Sequence, residues 1–271
     1  MDPSPPGGNA SGVHGGANGV GRVNGVAILD HDPDLAGGLS REEFDEARRV
    51  LVAPAVTLAE GPWSPRRDLV AERGHLGVLV LEGLLTREVD VAGTVSAELV
   101  GPGDVLRPWD HFGATAPIPF DVRWRVLDQS RVALLSEGFG AAAARWPSLT
   151  EALVGRAVQR AHTLALSQAI GCTTGLELRL LMLFWHLAYR WGKVGPDGVF
   201  VRVVLTHETI GRLIGARRPS VSTALKLLEM DGQVRKVGKT GWLLPAEPPR
   251  KLERHPSAIR RHEAKDLIAA A

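Results

Sequence analysis

The sequence predicts an α+β protein in which an antiparallel β domain precedes a set of helices. Between residues 56 and 136, short runs rich in Val and Leu are separated by Gly, Pro and Asp turns, with no helical segment among them. After residue 147, apolar residues recur instead at the spacing of helices. The strands are therefore expected to form a sandwich or barrel, and the helices to follow as a separate unit.

Length and composition fit a two-domain globular chain. The 271 residues exceed the roughly 100 to 200 residues of a usual single domain. No apolar run approaches the ~20 residues of a membrane span, so no membrane partner is expected. Cys172 is the only cysteine, which excludes an internal disulfide and a cysteine-rich metal site. Because the N-terminus shows no charged-then-apolar leader, we expect the chain to act in the cytoplasm.

The N-terminal half begins with a tail and a short helix. Residues 1–27 are rich in Gly, Asn and Pro and poor in large apolar side chains, which predicts a disordered tail. Ser40 and Glu43 have the spacing of a capping box, which predicts a helix to about Val50. The β domain is expected over residues 28–146. Its predicted strands include residues 76–81, 95–100, 122–127 and 132–135, with a clear turn at Gly101 to Asp104.

A long helix is predicted over residues 147–170. Ser148 and Glu151 repeat the capping-box spacing at its start. Five apolar residues then fall on one face of the helix: Leu149, Leu153, Ala157, Ala161 and Leu164. Such a stripe fits contact with a second copy of the chain or contact with the chain's own β domain, and the helix alone does not decide between them. A second, largely buried helix is predicted over residues 176–191.

Residues 206–244 have the pattern of two short helices and a β-hairpin. Thr206 is a good N-cap, Gly215 ends the first helix, and a second helix is predicted over residues 219–230. This is helix-turn-helix spacing. Residues 233–244 then form two short apolar and basic runs around a Gly-Lys-Thr-Gly turn, which predicts a wing.

Positive charge is concentrated in this last segment. The whole chain carries a formal charge of only +2. Residues 206–245, however, contain seven basic and three acidic side chains. Arg side chains can donate two hydrogen bonds to guanine, and Ser and Thr can reach bases or phosphates. The local excess therefore indicates a polyanionic partner.

The order of these segments resembles the Crp/Fnr superfamily of bacterial transcription regulators. The resemblance lies in Thr206, Ile210-Gly211, Leu213-Ile214-Gly215, Arg218, Val221 and Leu225 to Glu229, and upstream in Leu81-Glu82-Gly83, Gly101 to Asp104 and Pro196 to Gly198. It implies a cyclic-nucleotide-binding-like β-roll as a sensor domain over residues 28–146, a dimerisation helix over 147–170, a winged helix-turn-helix DNA-binding domain over 171–245, and a C-terminal extension over 246–271.

The resemblance also implies partners and site residues. It implies a homodimer that joins along the long helix, which favours the dimer interpretation of the Leu149 stripe, and that reads an inverted repeat in double-stranded DNA. RNA polymerase is a further candidate partner. The implied base-reading residues are Arg218, Ser220, Ser222 and Thr223, and the implied phosphate contacts are Thr206, Arg217, Lys226 and Lys239. Pro219 and Thr223 depart from the family's usual residues, so the preferred half-site is expected to differ.

The sensor domain departs from the cyclic-nucleotide binders of that superfamily. Pro108 stands near the position of their ribose-binding Glu, and Phe120 stands at the position of their phosphate-binding Arg. A buried phosphate needs charge-assisted donors, so a cyclic nucleotide is not expected to bind. Arg107, Arg123 and Arg125 are either ligands for a different anion or solvent-facing residues of their strands. The effector is left unknown, and no metal or cofactor is expected.

Two other functions compete with DNA-binding regulation. One is a degenerate sensor or interaction module that has lost sequence-specific DNA binding. The other is a cupin-like metal enzyme, which would need clustered His and Glu on neighbouring strands. Residues 56–136 contain no His-x-His pair, so we expect the chain not to be an enzyme.

Overall fold

The computed structural model describes residues 24–65, 69, 75–110 and 117–252. The strands are β1 (Asn24–Ala27), β2 (Val52–Leu58), β3 (Gly61–Trp63), β4 (Gly77–Val91), β5 (Thr94–Val100), β6 (Val105–Leu106), β7 (Asp121–Leu135), β8 (Gly192–Gly195), β9 (Gly198–Arg202), β10 (Arg235–Val237) and β11 (Gly241–Leu244). The helices are α1 (Ile28–His31), α2 (Arg41–Val50), α3 (Glu137–Ala143), α4 (Pro147–Cys172), α5 (Leu176–Trp191), α6 (His207–Ile214) and α7 (Arg218–Met230), with 3-10 turns at Pro33–Ala36 and Arg250–Leu252.

The predicted α+β class is confirmed. A seven-stranded antiparallel sheet has the path β1-β2-β7-β4-β5, with β3 added to β7 and β6 added to β4. A separate four-stranded sheet has the order β10-β11-β9-β8. The pairing of β4 with β7 shifts register between Val80 and Leu85, and such irregularities bend a sheet and increase its twist. None of the described helices is both long enough and apolar enough to cross a membrane.

Two boundaries in the β domain differ from those predicted. Residues 122–127 and 132–135, expected as two strands, are parts of the single strand β7. The predicted tail over residues 1–27 is wrong at its end, because residues 24–27 form β1 and pair with β2. Since Val26 lies in the β-domain core, this segment has apolar burial that offsets its ordering. Residues 1–23 of the tail and 253–271 of the predicted extension lie outside the described residues.

The two predicted capping boxes have different outcomes. At α2, the Ser40 hydroxyl accepts from the Glu43 backbone N–H at 3.3 Å, and the Glu43 carboxylate accepts from the Ser40 N–H at 2.8 Å, as expected. At α4, the N-cap is Trp146 and no side chain caps the helix. Pro147 occupies the first turn, where its missing N–H costs nothing. The capping box at Ser148 is therefore wrong, although the helix exists.

The start of α4 packs on the chain's own β domain. Leu149 and Leu153 are buried in a core that also contains Leu79 of β4, Leu135 of β7 and Phe139 of α3. The prediction that these two leucines face a partner chain is thereby corrected. The apolar face of a helix packs against the core of its own domain when an apolar sheet lies beside it.

The C-terminal helices also pack directly on the β domain. Leu84 of β4 and Leu99 of β5 belong to the same buried cluster as the cores of α5, α6 and α7. At this junction Arg190 of α5 reaches Asp104 in the turn after β5, with Nη2 at 2.7 Å and 2.6 Å from the two carboxylate oxygens. The side chains of Arg190 and Asp104 are only 13% and 11% exposed. Asp104 also accepts from the Gly101 N–H at 2.8 Å.

Replacing Arg190 should strongly destabilise the protein. The Arg190→Ala variant leaves the Asp104 carboxylate buried without its charged partner, and we expect a loss of about 3 to 5 kcal/mol in the free energy of unfolding measured in urea. Arg107→Ala is the matched control, since Arg107 forms a half-exposed pair with Asp110; a change within about 1 kcal/mol is expected there. Equal effects of the two variants would contradict this role for Arg190.

Candidate nucleic-acid interface

Helices α6 and α7 form the predicted helix-turn-helix. The Thr206 hydroxyl accepts from the Thr209 N–H at 3.0 Å and caps α6, and Gly215 ends the helix in the left-handed conformation. Buried apolar side chains from both helices pack in one cluster: Ile210, Ile214, Val221, Ala224, Leu225 and Leu228. The predicted start and end of the first helix are confirmed, and the second begins at Arg218, one residue earlier than expected.

The turn between the two helices depends on a close backbone approach at Gly211. A Cβ added at this position would lie 2.4 Å from the carbonyl oxygen of Ala216. The N–H of Ala216 also donates to the Gly211 carbonyl at 2.8 Å, so the two backbones are held close together. A side chain at Gly211 would therefore force the turn apart and move α7 away from α6.

Most of the residues predicted to contact DNA are exposed. The exposed members of the predicted set are Thr206, Arg217, Arg218, Ser220, Thr223, Lys226 and Lys239. The side chains of Arg217, Arg218, Lys226 and Lys239 have no ion-pair or hydrogen-bond partner within the part of the chain that the structure describes. Free cations of this kind can neutralise phosphates without first breaking an internal pair.

Ser222 is the exception in the predicted set. It is half-buried, and its hydroxyl donates to the Arg218 carbonyl at 3.1 Å. The same oxygen lies 2.7 Å from Nδ1 of His207. Because the single hydroxyl proton is already used, Nδ1 of His207 is the donor in this contact. Ser222 therefore connects α7 to the start of α6. Its hydroxyl proton is already donated within the chain and is not available to a DNA base.

The sequence prediction did not include His207, which contacts Ser222 of the predicted set. Burial, and then the positive charges of Lys236 and Arg218, lower the pKa of His207 below its ordinary value. The neutral imidazole is thus favoured in the free protein. Because His207 directly follows the N-cap Thr206, the sequence could place it at the start of α6. Its contact with Ser222 depends on how the two helices pack, which the sequence does not show.

Arg212 does not belong to this surface, although it was counted in the local basic excess. Its Nη1 lies 2.5 Å from the Glu88 carboxylate on β4, and its Nη2 lies 2.6 Å from Glu208. Arg212 therefore joins α6 to the β domain. The charge that faces outward is carried by α7 and by the hairpin that follows it.

The predicted wing is confirmed as the hairpin of β10 and β11. Trp242 on β11 is fully buried and packs on Phe184 of α5, with ring centroids 4.7 Å apart. The ammonium group of Lys236 lies 5.6 Å from the Trp242 ring centroid, and the Lys236 N–H donates to Glu229 at the end of α7 at 3.4 Å. Lys239 lies at the tip of the hairpin, and the anchored tryptophan sets where that tip lies relative to α7.

The three arginines weighed as anion ligands in the β domain differ in their contacts. Arg107 pairs with Asp110 at 3.1 Å, and Arg123 pairs with Asp90 at 3.1 Å. Arg125 is exposed and has no ion pair with any described residue. Among the described residues, no group of three His, Cys, Asp or Glu side chains is placed to hold a metal ion.

Comparison with protein families identifies the C-terminal domain. Residues 178–247 match the family model of the Crp-like helix-turn-helix domain. This range contains α6, α7 and the wing. No curated protein sequence matches the chain.

Solved structures share the fold of most of the chain. A cyclic nucleotide-binding domain containing protein from Listeria monocytogenes EGD-e aligns with a TM-score of 0.55 and 14% identity, covering 79% of this chain and 97% of that one. FixK2 from Bradyrhizobium japonicum aligns with a TM-score of 0.53 and 15% identity, covering 71% and 92%. A mutant of CooA from Carboxydothermus hydrogenoformans gives 0.51 and 15%, covering 71% and 83%. The resemblance to the Crp/Fnr superfamily is confirmed for the fold and for the helix-turn-helix.

Gly211→Ala should destabilise the helix-turn-helix. The added methyl group meets the backbone of Ala216, and we expect a loss of about 1 to 3 kcal/mol in the free energy of urea unfolding. Gly171→Ala is the matched control, because Gly171 lies in α4 with open space where a Cβ would be. Removing a helical glycine there should leave stability unchanged or raise it by up to about 1 kcal/mol. A Gly211→Ala protein as stable as the wild type would show that the turn does not need the glycine.

Proposed function

Because the chain carries a Crp-like helix-turn-helix domain within the fold of Crp/Fnr-type transcription regulators, we propose that it is a DNA-binding transcription regulator that acts as a homodimer on an inverted repeat. The exposed start of α7 carries this proposal. There the side chains of Arg217 and Arg218 have no ion-pair partner among the described residues, while the opposite face of the helix is buried. An exposed cationic helix start on a rigid apolar scaffold suits insertion into the major groove.

The proposed DNA-contact residues fall into two groups, those that would contact bases and those that would contact phosphates. Arg218 is the first residue of α7 and is the candidate for bidentate contact with guanine, with Ser220 and Thr223 beside it. The Thr223 hydroxyl donates to the Pro219 carbonyl at 3.3 Å, so its oxygen is left to accept from a base. Thr206, Arg217, Lys226 and the wing residue Lys239 are candidates for phosphate contacts, which set the register of the protein on the duplex.

A second apolar stripe on α4 supports the homodimer. Val154 and Val158 are 58% and 48% exposed, and Ala161 and Ala165 are exposed beyond them. Spacings of four, three and four residues are those of a coiled-coil seam, which a second copy of the same helix covers. The dimer contact is thus proposed for Val154, Val158, Ala161 and Ala165. Of the five residues first predicted, Ala161 remains in it, while Ala157 and Leu164 line a groove between α4 and the β domain.

The β domain is proposed to respond to something other than a cyclic nucleotide. Pro108 is buried in the turn after β6, and Phe120, directly before β7, has no charge to offer a phosphate. The buried carboxylate of Asp104 is bound by Arg190 and the Gly101 N–H. A ribose phosphate entering this region would meet no free cradle of donors from these residues.

Arg218→Ala should reduce both affinity and specificity. Sites are first selected from random duplex DNA by the wild-type protein, and affinity for the selected site is then measured by fluorescence anisotropy. We expect a loss of about 1 to 3 kcal/mol and relaxed preference at one base position per half-site, because a bidentate base contact is removed.

The matched control is Arg41→Ala, which removes an exposed arginine from α2 of the β domain. Its affinity and site preference should equal those of the wild type. Selection of no inverted repeat by the wild-type protein, or binding that does not weaken as salt rises, would favour the interaction module instead.

A charge at the α4 stripe should weaken the dimer. Val158→Glu introduces two carboxylates at the proposed two-fold seam, where they repel each other and lose apolar contact. Sedimentation equilibrium is expected to show dissociation at lower protein concentration than for the wild type. Val52→Glu is the control, since Val52 is 47% exposed but lies on β2. A dimer unaltered by Val158→Glu would place the interface elsewhere.

A further inference from the structure

Arg179 of α5 contacts the C-terminal ends of two other helices. Its Nη1 lies 2.9 Å from the carbonyl oxygen of Ile214, the last residue of α6, and 3.4 Å from that of Gly171, in the last turn of α4. Because Nη1 carries two hydrogens, it can donate to both carbonyl groups. One side chain of α5 therefore connects the long helix α4 to the first helix of the helix-turn-helix.

The local sequence brings Arg179 back to the end of α4. Only residues 173–175 separate α4 from α5, so α5 begins beside the end of α4. Arg179 is the fourth residue of α5, and helical side chains lean toward the N-terminus of their own helix. The guanidinium group therefore points back toward α4. Because α4 and α6 are in contact, the end of α6 lies within reach of the same group.

The two helix ends supply the negative potential that this guanidinium group needs. Arg179 is half-buried and has no carboxylate partner among the residues that the structure describes. A helix C-terminus carries a partial charge of about −0.5, so two such ends together offset about one positive charge. The Ile214 and Gly171 carbonyl groups have no partner within their own helices, because each lies in a last turn. Arg179 thus supplies hydrogen bonds that both helix ends would otherwise lack.

The contact with Ile214 holds the point where the chain turns from α6 toward α7. Gly215 follows directly in the left-handed conformation, and α7 begins after two more residues. On the other side of Arg179, α4 carries the exposed apolar stripe proposed as the dimer seam. The position of α7 relative to that seam therefore depends on how Arg179 holds the two helix ends together.

We propose that Arg179 is a positioning residue for DNA binding, which fixes α7 relative to α4 and thereby sets the spacing of the two half-sites that the dimer recognises. In dimeric helix-turn-helix proteins, the half-site spacing follows from the separation of the two recognition helices. This inference rests on the proposed homodimer, but the contacts that carry it lie within one chain. It does not depend on which bases α7 reads, because Arg179 belongs to α5.

The first test measures positioning within one chain, by double electron–electron resonance between two spin labels on the full-length protein. The labels are attached at Glu151→Cys on α4 and at Asp231→Cys directly after α7, in a Cys172→Ser background that removes the only native cysteine. An excess of unlabelled chain ensures that each distance belongs to one chain, whether or not the protein dimerises. Arg179→Met keeps the length of the side chain but removes its charge and donors. We expect it to shift the distance distribution by about 2 Å, the size of helix shifts at interfaces, or to broaden it.

The second test measures affinity by fluorescence anisotropy, for a single half-site and for inverted repeats whose spacer is lengthened and shortened in single base-pair steps. Arg179→Met should bind the single half-site as the wild type does, because α7 itself is unchanged. Its preference for the best spacer should fall by about tenfold, the equivalent of one hydrogen bond from a charged group. Arg179→Lys keeps the charge and a donor, so it should retain part of that preference. Arg179→Gln, which keeps a donor without the charge, takes the place of Arg179→Met if the latter does not fold.

Arg202→Met is the matched control, because Arg202 also connects the C-terminal domain to the rest of the chain, but through its ion pair with Asp128 on β7. It should give the distances and the spacer preference of the wild type. The proposal is overturned by unchanged distances or an unchanged spacer preference in Arg179→Met, or by equal changes in Arg202→Met. A wild-type protein that prefers no spacer would refute the homodimer on an inverted repeat, and the distances alone would then decide whether Arg179 positions α7.

Discussion

The pairing of Asp104 with Arg190 is the interaction on which the arrangement of the two domains depends. Asp104 closes the turn after β5 by accepting from the Gly101 N–H, and Arg190 comes from α5 at the base of the C-terminal domain. Arg190 also donates to the Leu99 carbonyl at 3.4 Å and stacks on Trp191 at 4.0 Å. Both charges are largely removed from water, so neither can lose its partner cheaply.

Apolar packing makes this polar contact part of a continuous junction. Leu84 and Leu99 of the sheet share a buried cluster with the helices of the C-terminal domain. On the other side of that cluster, Arg212 of α6 holds Glu88 of β4. Because α7 packs on α5 and α6, its orientation relative to the β domain is set by contacts at both ends of the junction. Any event in the β domain that alters one of these contacts has a direct physical route to the exposed start of α7.

Local signals predicted the helix-turn-helix well. Thr206 and Gly215 act through neighbouring backbone groups, so their effect does not depend on distant parts of the chain. The exposed Arg217 and Arg218 could also be placed from sequence, since the buried positions of α7 leave only one face for them. The contact of the Ser222 hydroxyl with His207, fifteen residues away on another helix, could not be predicted from local sequence. Likewise, the local charge pattern does not show that Arg212 pairs with Glu88 of the β domain.

The sequence by itself determined the α+β class, the order of the elements and the position of the helix-turn-helix, because periodicity, caps and turns are properties of short segments. Only the tertiary structure decided which apolar stripe of α4 packs against the chain's own β domain. Leu149 and Leu153 have the same helical periodicity as Val154 and Val158, yet the first pair is buried and the second is exposed. The tertiary structure also placed Arg125 and Arg212 at one cleft. Residues 87 positions apart in the sequence meet only when the sheet and the helices pack together.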